Sequence, residues 1–140
     1  MHPRTELKNE IKALITALLP DVNVYASRAR ELRSSDAEAV VVYVPDETLL
    51  RPPGRGENRS KRILSRTMNV EILVIVAKPG DGEAAADRAD ELARQISLHL
   101  NDVAPSLEPG SEKQDFSMGE DARVITSMSY SHTLNDEMEA

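Results

Sequence analysis

Two short runs of the sequence, 39–44 (AVVVYV) and 69–77 (NVEILVIVA), constrain the fold most strongly. Both are apolar at nearly every position and rich in β-branched residues. A strand with one face in water alternates apolar and polar residues, whereas an unbroken β-branched run is typical of a strand with apolar side chains on both faces. The two runs therefore predict two central strands of a sheet.

Two amphipathic helices are predicted on either side of these strands. In 5–18, leucine and isoleucine recur at helical spacing, and Pro20 ends the pattern. In 83–100, a narrow stripe of alanine, leucine and isoleucine predicts a second helix, with Asp81 as its N-cap. The small alanines favour close packing of this helix on a sheet.

Two more strands complete the predicted fold. Residues 22–26 alternate in a short strand near a sheet edge, and 122–130 alternate in a closing, half-buried strand. At 140 residues the chain suits one core, so we predict a single domain over 1–140. The fold class is α+β in the order α-β-β-β-α-β, with two helices packed on one face of a four-stranded mixed or antiparallel sheet.

Three segments are interpreted as irregular. Residues 50–66, rich in Pro, Gly and Arg, read as a long exposed basic loop or an extended hairpin tip. Residues 101–119 read as a loop, and 135–140 as a flexible acidic tail.

This arrangement leaves an apolar surface to explain. Two helices cover one face of the sheet, yet the central strands also place Val41, Tyr43, Leu73 and Ile75 on the other. A contiguous exposed apolar patch larger than roughly a few hundred Å² is rare on a monomer and marks a binding surface. We expect either the long loops or another subunit to cover it.

Charge is unevenly distributed along the chain. The formal net charge is -7, with 12 Lys and Arg against 9 Asp and Glu in 1–66, and 5 against 15 in 67–140. Such polarity suits head-to-tail contact between copies, and it also fits a monomer with an acidic side. Cysteine is absent, and no apolar run approaches the roughly 20 residues of a membrane span, so we expect a soluble protein of a reducing compartment.

No pattern in the sequence predicts catalysis. His2, His99 and His132 lack metal-ligand spacing and are interpreted as surface or boundary residues. The GxG at 54–56 lacks the strand and helix that a phosphate loop needs, and Ser111 has no partner base. The acidic pairs are interpreted as solvated carboxylates, so no catalytic, metal or cofactor site is predicted.

The segment 51–66 contains the one dense cluster of cationic residues in the sequence, and Glu57 is the single anion within the segment. The cluster consists of Arg51, Arg55, Arg59, Lys61, Arg62 and Arg66. We interpret it as a contact to carboxylates of a neighbouring copy or another protein, because Arg pairs well with carboxylates. Nucleic-acid binding and a solvated loop remain alternatives, although the loop has no aromatic residue for base stacking.

Four segments together resemble the tail terminators of lambda-like long-tailed phages, the minor tail protein U family. They are TELKNEIKALITALL, AVVVYVPDET, MNVEILVIVAKPGDGE and ARVITSMSYSHTL, which span Thr5 to about Leu134. The resemblance is one of order, spacing and pattern. The chain departs from the family in its Arg-rich 50–66 segment and its few aromatic residues.

The resemblance implies a structural virion protein without catalysis or cofactor. It implies a homohexameric ring that caps the tail tube, ends tube polymerisation and docks the neck or head-completion protein at the tail/neck junction, after assembly in the bacterial cytoplasm. DNA would pass through the lumen without specific binding. The alternatives are a neck or tail-completion protein of similar fold, and a small nucleic-acid-binding α+β module using the Arg-rich loop.

Overall fold

The computed structural model describes residues 2–26, 38–50, 61–78, 81–117 and 123–139. In chain order the elements are α1 (Pro3–Leu18), β1 (Asn23–Tyr25), β2 (Glu38–Leu50), β3 (Lys61–Ala77), α2 (Gly82–Val103), β4 (Glu108–Ser117) and β5 (Arg123–Glu139). They form a single sheet with two helices. Neither described helix has both the length and the apolar character needed to cross a membrane.

The sheet has five strands in the order β1-β2-β3-β5-β4. β1 pairs with β2 in parallel, and the other neighbours are antiparallel. The predicted α+β class, two helices and mixed sheet are therefore confirmed, and the predicted number of four strands is wrong. The additional strand, β4, lies in the segment predicted as a loop.

Both helices begin at side-chain caps. At the start of α1, the imidazole Nδ1 of His2 accepts a hydrogen bond from the backbone N–H of Arg4 at 3.0 Å, and Pro3 follows as a residue suited to the first helical turn. At the start of α2, the carboxylate of Asp81 accepts from the N–H of Ala84 at 3.0 Å. The predicted cap at Asp81 is confirmed.

The two helices pack on the same face of the sheet. Their buried stripes, which begin at Leu7 in α1 and at Ala85 in α2, share one apolar core with every second side chain of the central strands. The strand residues of this core include Val40, Val42, Val70, Ile72, Val74, Val76, Val124 and Met128. The prediction that both helices lie on one face is confirmed.

The helix-free face is less exposed than the sequence suggested. Ala39, Val41 and Ile75 are each at most 5% exposed although both described helices lie on the other side. Tyr43 and Leu73 on that face are only half-buried. The centre of this face is therefore already covered within the single chain, so of the two predicted sources of cover another subunit is not needed there.

The strands are longer than predicted at one end of the sheet. Leu50 and residues 61–66, predicted as part of an exposed loop, belong to β2 and β3. Residues 135–139, predicted as a flexible tail, belong to β5, where Asn135 pairs with Ser65 and Glu139 with Lys61. The hairpin alternative for 50–66 is thus confirmed at both ends of the segment, while 51–60 and Ala140 lie outside the described residues.

Candidate assembly interface

A three-stranded β-ribbon extends the sheet beyond the helices, and we call it the arm. It consists of 48–50, 61–67 and 133–139, held in register by the row Thr48, Thr67 and Thr133. The N-terminus of α1 lies at the base of the arm, where the Nε2 of His2 is 4.0 Å from a carboxylate oxygen of Glu47. Seven residues of β3 continue past this level, which corresponds to about 23 Å at roughly 3.3 Å per residue.

The arm forms because threonine and other strand-favouring residues line its base. The hydroxyls of Thr67 and Thr133 lie 3.1 Å apart and share a hydrogen bond across β3 and β5. Cross-strand threonine pairs of this kind stabilise a sheet. Local pairing therefore helps to maintain the register of the arm, together with Leu134, which packs against the core at the base of the arm.

Leu49 and Leu50 are the exposed apolar residues of the arm. They are 48% and 60% exposed, respectively, and lie at consecutive positions of β2. β1 pairs with β2 only as far as Val41, so within the described ranges the outer edge of β2 has no strand partner here. Consecutive residues of a strand point to opposite faces of the sheet, so Leu49 and Leu50 expose apolar surface on both faces of this strand edge.

The cationic cluster predicted from the sequence is divided by the structure. Arg51, Arg55 and Arg59 lie outside the described residues. Lys61 and Arg62 are in β3, where the backbone register sets them opposite Glu139 and Met138 of the same chain.

Arg66, the last member of the cluster, forms an ion pair within the chain. Its guanidinium donates to a carboxylate oxygen of Glu47 at 3.0 Å, and the two side chains are 14% and 13% exposed. The other carboxylate oxygen of Glu47 is buried and has no hydrogen-bond partner among the described residues. The interpretation of Arg66 as part of an exposed loop is therefore wrong, because its side chain is packed against a buried carboxylate on β2.

A groove lies at the other edge of the sheet, between α2 and β4, and we call it the α2–β4 groove. Its volume is about 320 Å³. Residues of its lining include Leu98, Asn101, Leu107, Pro109, Met128 and Tyr130. Leu98 is 59% exposed, so the groove presents an apolar side chain to solvent.

The shape of this groove depends on an irregularity of β4. The pairing of β4 with β5 shifts between Pro109 and Glu112, which leaves Gly110 and Ser111 in a bulge. A Cβ atom at Gly110 would lie 3.2 Å from the carbonyl oxygen of Ser129, so glycine permits the close approach of the two backbones.

The histidines and carboxylates of the described residues do not form a metal site. Within the described part of the chain, no group of three His, Cys, Asp or Glu side chains is placed to hold a metal ion. His2 caps a helix, His99 is half-buried on α2, and His132 is half-buried on β5 with its Nδ1 buried and unpartnered among the described residues.

The leucines at both surfaces were not identified from the sequence. Leu49 and Leu50 follow Pro45 and Asp46, which lie beyond the predicted strand 39–44. The signal that could have identified them is the strand-favouring Thr48 beside two leucines, which extends β2 past its bulge. No protein-family model matches this sequence, and no curated protein matches it either.

Proposed function

We propose that this chain is a non-enzymatic structural protein of a long-tailed phage, a tail terminator. Copies of the chain form a ring, hexameric by the family resemblance, that caps the tail tube and presents a docking surface to the neck or head-completion protein. The support comes from the resemblance of four segments over most of the chain, together with the architecture of the sheet.

The observation that carries this proposal is the arm. β3 runs seven residues past Met68, about 23 Å at roughly 3.3 Å per residue, and along this stretch Leu49 and Leu50 of β2 are largely exposed in one copy. Both leucines lie on the edge of β2 that has no strand partner within the described ranges. Such a surface suits a subunit that is completed by its neighbours.

The partly exposed residues around the buried centre of the helix-free face add to this support. Tyr43, Leu73 and Ile125 are half-buried around the buried Val41 and Ile75. Contact with a neighbouring subunit or the tube would remove this partly exposed apolar surface from water. Each square ångström of apolar surface buried contributes about 25 cal/mol before the costs of association.

Termination follows physically from a difference between the two faces of a ring. One face matches the docking surface of the last tube ring, so the cap binds the growing end. The other face lacks the complementary surface that a tube subunit needs, so further tube protein finds no favourable site. The acidic half of the chain would keep a DNA-lining surface from binding phosphates.

Tube growth in the presence of the protein tests the proposal. Tail tube protein of the same phage is polymerised with increasing amounts of this chain, and tube lengths are measured in electron micrographs. We expect tubes to shorten and to carry a ring at one end. Tubes of unchanged length without end rings would refute the terminator function.

A charge-reversal variant tests the cationic segment within the same assay. We expect R55E/R59E/R62E to retain the circular dichroism spectrum of the wild type while ring formation and tube capping decline. Unchanged assembly would show that this segment is not a contact surface. Retention of the wild type on DNA with a steep salt dependence would instead favour the nucleic-acid-binding alternative.

A further inference from the structure

We draw no further inference here: the strongest candidate, the α2–β4 groove beside the exposed Leu98, is an apolar surface, and nothing in the described part of the structure shows what covers it.

Discussion

The Glu47–Arg66 ion pair provides a prediction that separates an internal role of Arg66 from a role in partner binding. We consider Arg66→Met, Glu47→Met and the double variant E47M/R66M. In the wild type the guanidinium lies 3.0 Å from one carboxylate oxygen, and both side chains are nearly nine-tenths covered. Removal of Arg66 leaves His2, at 4.0 Å, as the remaining ion-pair partner of the covered Glu47 carboxylate among the described residues.

The expected cost follows from this burial. Removing one partner of a fully buried pair costs about 3 to 5 kcal/mol, and residual solvent access at this site reduces the expected loss for Arg66→Met to about 2 to 3 kcal/mol. Replacing both partners by methionine leaves no unpaired charge, so E47M/R66M is expected within about 1 kcal/mol of the wild type. The coupling free energy of the pair, which is the sum of the two single-variant losses minus the loss of the double variant, is then expected to be at least about 1 kcal/mol.

Urea unfolding of the four proteins, monitored by circular dichroism at a concentration where they are monomeric, measures these values. If Arg66→Met changes the free energy of unfolding by less than about 0.5 kcal/mol, the burial argument is refuted, since surface substitutions have effects of that size. If Arg66→Met impairs assembly without a loss of stability, the result would instead support the predicted role of Arg66 in partner binding.

Three further comparisons of variants test the fold. Ile72→Ala, at a fully buried position of β3, is expected to cost about 2 to 5 kcal/mol in urea unfolding, while the exposed Leu98→Ala costs less than about 0.5 kcal/mol; equal losses would contradict the assigned core. Asp81→Ala removes the N-cap of α2 and is expected to cost about 1 kcal/mol, with Asp81→Asn near wild type as the control. Gly110→Ala forces a Cβ to 3.2 Å from the carbonyl oxygen of Ser129 and is expected to destabilise by about 1 to 3 kcal/mol; a neutral effect in thermal unfolding would show that the bulge adjusts freely.

The sequence predicted the elements whose stability comes from apolar burial. The stripes of α1 and α2 and the runs 39–44 and 69–77 mark side chains that the core covers, and the structure confirms them. The apolar side chains of the second face were also assigned correctly. What could not be predicted was how far Ala39, Val41 and Ile75 would be buried, because cover from distant parts of the chain leaves no local pattern.

The strands that the sequence did not predict are stabilised mainly by backbone pairing with neighbouring strands. β4 reads EPGSEKQDFS and contains Pro109, Gly110 and several charges, which is the composition of a loop. It is a strand because its backbone pairs with the edge of β5, an interaction that side-chain periodicity does not encode. The β5 part of the arm was missed for the same reason, since no core imposes an alternating pattern on 135–139.

The mass of the protein in solution tests the central claim most directly. Light scattering across protein concentration, with and without tail tubes, separates the 15.4 kDa chain from a ring of six copies at about 92 kDa. We expect a ring-sized species in solution, or monomers that form rings only at tube ends. A species of 15.4 kDa at every concentration that ignores tubes would contradict the claim that neighbouring copies complete this subunit.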